Sequence, residues 1–489
     1  MHVPLTLMTT RSDPALPAYP HTKVIATIGP ASEDRIGELI DAGMSVARIN
    51  LSHGSEEDFL RRVARIRKES DARMRAIGIL TDLSGPKLRM GKLEGGKREL
   101  AEGERVRVRR GSGVAAPGEI LFDFGGFLEA VRPGHRIVLA DGQAEIVVES
   151  AEPGSLLART TRGGEIGDRK GVHFPDSHLD HGVPTEQDER HLALAAEAGV
   201  DLIGVSFVSK PEEIRAVRAL APGASVIAKI ERMAALQNID ALIAESDGIM
   251  VARGDLGVEA ELEELPLIQK SLILSALAAG KFAITATEML ESMLESSRPT
   301  RAEVSDVANA VLDGSDAIML SAETAVGEHP VEAVATMARI ARAIESSRLY
   351  RELPRPTYRP TENDFGNATA LAAVQAAEAL GITKIVCFTE TGRAVRQVSR
   401  YRPSAEVIAL SPHPRTVNQM TVLAHARPML FRREKSLEDM LYMASEMLLV
   451  RGMAKAGDPI VFVAGVPPGI SRSTNVVKLH RIGEEVKLA

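Results

Sequence analysis

The sequence predicts a (β/α)8 barrel that carries a small inserted β-domain and is followed by a separate α/β domain. Three observations carry that prediction. Eight short apolar runs (residues 24–28, 46–50, 77–83, 202–207, 226–230, 248–253, 282–287 and 316–320) each lead into polar or glycine-rich chemistry. Helical patterns such as 35–42, 212–220 and 303–312 separate most of them. One long interval, residues 88–177, breaks this alternation with short strands of its own. Eight strands alternating with helices is the pattern of a closed parallel barrel. An open doubly wound sheet is the competing arrangement, and eight runs of this kind favour closure.

Residues 1–20 read as a flexible leader without a charged-then-apolar signal pattern. The barrel takes residues 21–87 and 178–350. Within the insertion the alternating strands are 105–108, 137–139 and 144–148, the last two joined by a turn at Asp141-Gly142. An insertion after the third strand lies over the C-terminal mouth, where it can serve as a lid. In the second half, Thr300-Arg301-Ala302-Glu303 is a capping box opening a helix that closes on Gly314. The last barrel helix runs to about Tyr350, and Pro354, Pro356 and Pro360 mark a linker. Residues 351–489 form the C-terminal domain, with a helix over 367–380 and strands at 385–388, 407–410 and 459–464.

Bulk properties exclude several classes. A chain of 489 residues needs two to four domains, and 44% hydrophobic with 26% charged residues is an ordinary globular balance. A net charge of −7 argues against nucleic acid as a partner. No apolar run is long enough to span a bilayer. The single cysteine, Cys387, lies in an apolar run and reads as a small core residue; a reducing cytoplasm fits.

Residues at the C-terminal ends of barrel strands share one mouth. They are Arg48, Asn50 and Ser52 after the second strand and Asp82 after the third. The fifth supplies Lys229 and Glu231, the sixth Arg253 and Asp255, the seventh Thr287, and the eighth Ser321 and Glu323. Glu231 and Asp255 offer hard oxygen ligands suited to Mg²⁺ or Mn²⁺, with positions left for substrate oxygens. Arg48, Arg89 and Lys229 supply positive charge for phosphates. In "ARGDLGVE", backbone N–H groups near Gly254 and Asp255 could take a carboxylate or phosphate. Metal, lysine and arginines without a covalent nucleophile describe phosphoryl transfer, where positioning and charge stabilisation carry the catalysis.

Weaker signals are set aside. Gly111-Ser112-Gly113 with Ala116 is followed by Pro117-Gly118 rather than a helix, so it is no dinucleotide fingerprint. His173, His178 and His181 match no common zinc spacing. The methionines near Met289, Met293 and Met440 to Met447 read as packing.

The stretches "TKVIATIGPAS", "AGMSVARINLSHG", "IAKIE", "SDGIMVARGDLGVE", "ITATEMLESM", "RPTRAEVSDVANAVLDGSDAIMLSAETA" and "HPVEAVATMARIA" resemble, in order, the signatures of the pyruvate kinase family. The resemblance covers nearly the whole chain after the leader. It implies a (β/α)8 domain, a β-barrel lid and an α/β domain, and transfer of the phosphoryl group of phosphoenolpyruvate to ADP, giving pyruvate and ATP. It further implies that Lys229 stabilises the transferring group and that Glu231 and Asp255 hold the divalent metal. Ala252, Arg253, Gly254, Asp255, Thr287 and Ser206 would then meet the substrate, with Thr287 assisting enolate protonation. Arg48 and Arg89 match phosphate-contacting arginines; Asn50, His53 and Lys170 fall with them on the nucleotide side. Ser321-Ala322-Glu323 lines the same mouth, with alanine where the family more often has glycine. A homotetramer is implied, as is an effector phosphate loop at Thr389, Thr391, Gly392 and Arg393, although the downstream "GVPPGISRSTN" departs from the pattern of fructose-bisphosphate responders.

Within that family "TDLSGPKLRMG" comes in two kinds. One carries glutamate at the position of Lys87 and needs K⁺ held by the equivalents of Asn50, Ser52, Asp82 and the carbonyl of Leu83. The other carries lysine, as here, and works without the ion; Leu83 and Met90 are apolar as in that kind, while Ser84 matches neither. An ammonium can supply the fixed charge that K⁺ supplies. The expectation is activity without K⁺. Two rivals remain at this point: another metal-dependent barrel acting on phosphoenolpyruvate or pyruvate, which would need neither lid nor Lys229, and a catalytically dead relative, which would have lost Lys229, Thr287 or a metal carboxylate.

Overall fold

The computed structural model describes residues 19–52, 54–177, 179, 182–352, 364–470 and 473–484. The leader up to residue 18, the linker prolines, His53, His178 and His181 lie outside the described residues. Eight parallel strands close into a barrel: β1 (Lys23–Thr27), β2 (Met44–Asn50), β3 (Gly78–Asp82), β4 (Leu202–Val205), β5 (Ser225–Ile230), β6 (Gly248–Ala252), β7 (Phe282–Ala286) and β8 (Ala317–Leu320). Their near-continuous Val, Ile and Ala content follows from burial on both faces, inside the barrel and beneath the helices. Inward side chains Ile25, Val46, Leu80, Leu202, Ile227, Met250, Ile284 and Met319 fill the interior. The expected capping box is present, with Thr300 Oγ1 accepting from Glu303 N.

The insertion folds on its own core, in which Phe122, Phe124, Phe127 and Phe174 pack edge-on and stacked. Its main sheet has six strands, bounded by Glu119–Phe122 at one edge and Val172–His173 at the other. Arg89 bridges to Gly171 and Met90 to Phe122, so the chain entering the lid links the sheet's two edges. The expected turn at Asp141-Gly142 is a four-residue loop between Leu139 and Ala144, where Ala140, Asp141 and Gly142 all have positive φ.

The C-terminal domain is a sheet in the order β11-β10-β9-β12-β13, with β9 Lys384–Phe388, β10 Glu406–Ser411, β11 Ala426–Leu430, β12 Pro459–Gly465 and β13 Thr474–Arg481. Strand β13 is antiparallel to β12. The buried core on one face of this sheet is continuous with the side chains inside the barrel. The domain therefore plugs the barrel floor.

Three aspartates make that junction, each placed just before an even-numbered strand. Asp201 Oδ2 accepts from Ile79 N at 2.8 Å, Asp247 Oδ2 from Val226 N at 2.9 Å, and Asp316 Oδ2 from Ala283 N at 3.1 Å. In each case the donor is the second residue of the preceding odd-numbered strand. The C-terminal domain meets the same three points. Gln419 Nε2 donates to the Asp201 carbonyl at 3.2 Å, Arg396 stands 3.7 Å from Asp247, and Arg402 pairs with Asp316 at 3.0 Å. Ala424 N also donates to Asp316, and Gly78 N donates to Thr421 Oγ1. Among the described residues no helix is long and apolar enough to cross a membrane.

Asp316 and Arg402 are both buried, so removing one partner strands a buried charge at a cost of about 3–5 kcal/mol. Asp316→Ala is expected to lower the urea midpoint accordingly, and an unchanged midpoint contradicts a structural floor.

Candidate active site

The mouth is built around charges that the barrel brings together from different strands. Asp82, at the end of β3, is fully buried. Its Oδ2 accepts from Arg48 Nε at 2.7 Å and stands 3.6 Å from Lys229 Nζ. Its Oδ1 lies where a Cβ on Gly204 would approach to 2.0 Å, so β4 must carry glycine there. Arg48 also donates to Thr27 Oγ1 at 2.9 Å, and Thr27 donates in turn to the Leu320 carbonyl. Thr27 therefore belongs to the mouth; the run 24–28 that contains it carries no sign of that.

Lys229 Nζ lies 2.7 Å from Glu231 Oε1 and donates to Ser206 Oγ at 2.7 Å. Ser206 Oγ donates onward to the Leu83 carbonyl at 2.9 Å. Burial alone would draw the Lys229 ammonium down, but Asp82 and Glu231 offset it and hold it above its ordinary value. Burial also raises the Asp82 carboxyl, and Lys229 and Arg48 overcome this to keep it low. For Glu231 burial prevails and pushes the carboxyl up to about 7, because Lys229 is shared with Asp82 and Asp255 adds like charge. Glu231 Oε2 accepts from Phe207 N at 2.6 Å, and Phe207 adopts φ 59° to present that N–H.

Above this buried layer lies a cavity of about 290 Å³ between barrel and lid. Lys87, Arg89, Lys170 and Asp255 line it, as do Asp141, His173 and Glu259, which sequence reasoning had not assigned to the site. Arg89 donates to the Arg169 carbonyl at 2.8 Å. Lys87 lines the cavity with its side chain open to solvent, and its ammonium is drawn down by local desolvation, Arg89 and Lys229, against Asp255 and Glu231. The cations bound to Asp82 are thus Arg48 and Lys229, whereas Lys87 belongs with the cavity charges. At the expected cation corner, Asn50 Oδ1 accepts from Ser52 N at 2.9 Å and Ser52 Oγ pairs with Ser84 Oγ at 3.1 Å. Ser84, which fitted neither sequence pattern, closes that corner.

The turn after β7 is strained. Thr287 has φ 68° and Glu288 φ 54°, a region that a β-branched residue enters only when its surroundings enforce it. Arg253 is what enforces it. Its guanidinium donates to the Thr287 carbonyl at 2.7 Å and the Glu288 carbonyl at 3.1 Å, and pairs with Asp306 at 2.6 Å. The Arg253 side chain is thus engaged with this turn and with Asp306, while its backbone belongs to the Ala252–Asp255 segment. Gly254 N donates to Thr287 Oγ1 at 2.8 Å, which ties the Ala252–Asp255 segment to the same turn. Glu323 is likewise structural, accepting from Ser321 N and Leu290 N.

Among the described residues no group of three or more His, Cys, Asp or Glu is placed to hold a metal ion by itself. A site with two protein carboxylates suits Mg²⁺, which keeps several waters and takes further oxygens from a substrate. Far from the mouth, Thr389, Thr391 and Arg393 line a cleft of the C-terminal domain, with Gly392 at φ 79°. Glu390 stands in the same loop, paired with Arg433 at 2.6 Å and His413 at 2.7 Å. Cys387 is fully buried and its thiol is pushed up by burial, as a core residue requires.

The family model for the pyruvate kinase barrel domain matches residues 19–334, and that for the pyruvate kinase alpha/beta domain matches residues 367–480. The chain is 41% identical over 467 residues to a pyruvate kinase of Methylorubrum extorquens, covering 95% of this chain and 98% of that one. It is 38% identical over 469 residues to a pyruvate kinase of Mycobacterium tuberculosis, with the same coverage. With a pyruvate kinase of Geobacillus stearothermophilus the identity is 37% over 472 residues, covering 95% of this chain and 80% of that one. The closed barrel and the α/β C-terminal domain agree with these matches: the chain belongs to the pyruvate kinase family of phosphotransferases.

Proposed function

We propose that this enzyme transfers the phosphoryl group of phosphoenolpyruvate to ADP with a divalent metal on Glu231 and Asp255, and that it does so without K⁺. The observation that carries the reading is the buried Lys229 ammonium, held charged between Asp82 and Glu231 beneath the cavity. Lys229 would neutralise charge on the transferring group, and its burial makes that fixed cation act more strongly than it would in water. Mg²⁺ or Mn²⁺, when bound, would act as a Lewis acid on substrate oxygens. Arg48 and Arg89 would take phosphate oxygens, and Asn50, His53 and Lys170 would face the nucleotide. Substrate carboxylate would rest on the backbone from Ala252 to Asp255, and Ser206 would keep Lys229 aimed at the reacting group. Thr287 would stand near the enolate face and assist its protonation through water.

K⁺ independence is supported by the corner itself. The Leu83 carbonyl accepts from Ser206 Oγ, Asn50 Oδ1 accepts from Ser52 N, and Asp82 Oδ2 is neutralised by Arg48 and Lys229. Those oxygens have internal partners, and Lys87 adds an ammonium to the adjoining cavity. A homotetramer is the family expectation, and two large apolar side chains are open to solvent near one barrel helix: Leu267 at 69% in the first turn of Leu265–Ala278 and Leu262 at 71% in the turn before it. An effector phosphate at Thr389, Thr391, Gly392 and Arg393 is supported by the cleft there, where Glu390 would have to remain paired with Arg433 to admit an anion. A cytoplasmic location accords with substrates of this kind.

In a lactate dehydrogenase-coupled assay, phosphoenolpyruvate, ADP and Mg²⁺ should yield pyruvate; none at saturating substrates overturns the kinase reading. Exchanging a tetraalkylammonium salt for KCl should leave the rate nearly unchanged, whereas a several-fold rise would assign the cation corner to K⁺. Lys229→Met should lower kcat by roughly 10²–10³-fold or more with little effect on KM for ADP, and a variant that retains its kcat removes Lys229 from the chemistry.

A further inference from the structure

Glu259 has no part in the chemistry proposed above, yet it is buried in the wall of the site cavity. It is the last residue of the helix Arg253–Glu259, one turn after Asp255. Its Oε2 accepts from Met233 N at 2.9 Å. Met233 opens the helix Met233–Gln237, two residues after Glu231. Its Oε1 stands 3.7 Å from Arg232 Nε and 3.9 Å from Nδ1 of the lid residue His173.

The geometry needs such a tie. Glu231 and Asp255 follow different strands, and the last paired residues of β5 and β6 are Ile230 and Val251. Past that rung the ladder no longer sets the spacing of the two carboxylates. Mg²⁺ and Mn²⁺ sites tolerate little drift in that spacing, since octahedral coordination demands close placement of each oxygen. The Glu259–Met233 hydrogen bond joins the backbone just after Glu231 to the end of the helix that carries Asp255.

We infer that Glu259 is a positioning residue, which holds the two metal carboxylates at a fixed separation by tying the Asp255 helix to the backbone behind Glu231. The inference rests on the assignment of Glu231 and Asp255 to the metal. It gives Glu259 a role through the backbone, so the charge of its side chain matters less than its capacity to accept from Met233.

The test is Mn²⁺ binding to the full chain without substrates, followed by electron paramagnetic resonance. Met233→Pro deletes the donor at the first position of a helix, where proline is tolerated. Arg232 is already extended, at φ −135° and ψ 148°, as the residue before a proline requires. Glu259→Ala deletes the acceptor, and Glu259→Gln keeps one. Met233→Pro and Glu259→Ala should each weaken Mn²⁺ binding by about 10–100-fold. The double variant should bind no more weakly than either single one, and Glu259→Gln should stay near the unaltered chain. Full-strength binding in Met233→Pro, additive losses in the double variant, or a Gln variant as weak as the Ala variant overturns the inference. If Glu259→Ala does not fold, Met233→Pro decides alone. Glu231→Gln and Asp255→Asn serve as controls: Mn²⁺ that survives both overturns the metal assignment and this inference with it. Loss in the controls with full binding in Met233→Pro overturns the inference alone.

Discussion

One buried ammonium constrains the whole mouth of this barrel. Lys229 Nζ touches Glu231, Ser206 and, slightly farther off, Asp82. A cation taken out of water costs several kcal/mol unless carboxylates and hydrogen-bond acceptors surround it. That requirement propagates outward. Asp82 takes Arg48 as a second partner, and Gly204 must leave room for its other oxygen. Ser206 must accept from Lys229 and donate to Leu83, and Phe207 must turn into positive φ to bond Glu231. Strands β2, β3, β4 and β5 are thereby locked to one another at their chemical ends by side chains as well as by their ladders.

The floor of the barrel solves a different problem with the same residue types. Asp201, Asp247 and Asp316 accept backbone N–H groups at the strand starts, and the C-terminal domain closes over them with Gln419, Arg396 and Arg402. Charges at the floor are satisfied by backbone and domain contacts and have no reacting partner. Charges at the mouth face a cavity. This is the division of labour expected of barrels, stability at the N-terminal face and chemistry at the C-terminal face. It also makes the C-terminal domain part of the barrel's core, with Arg396 and Arg402 meeting the aspartates that precede β6 and β8.

Much of this was legible in the residue order. All eight barrel strands fall within two or three residues of their apolar runs, because parallel strands buried on both faces cannot hide their composition. The helix caps at Thr300 and Gly314 were legible for a similar reason, since their chemistry is local. Strands β11 and β13 were not. The first contains Pro428 and the second is half-exposed, so neither shows the periodicity of a buried strand. Within the site, Arg48, Asp82, Lys229, Glu231 and Asp255 stood out as charges at strand ends. Thr27, Asp141 and Glu259 did not, since their parts depend on what another segment brings to meet them.

The sequence by itself determined the barrel, the lid, the C-terminal domain and the family, because those follow from local periodicity, turn chemistry and motifs read in order. It also determined which side chains could carry charge at the mouth. Only the tertiary structure decided which charge meets which. It set Arg48 and Lys229, rather than Lys87, on Asp82, engaged Arg253 with the strained Thr287 turn, and joined Glu259 to Met233. The physical reason is range. Strand and helix propensities act over a few residues, whereas a buried ion pair between β3 and β5 exists only once the closed barrel has brought their ends within a few ångströms.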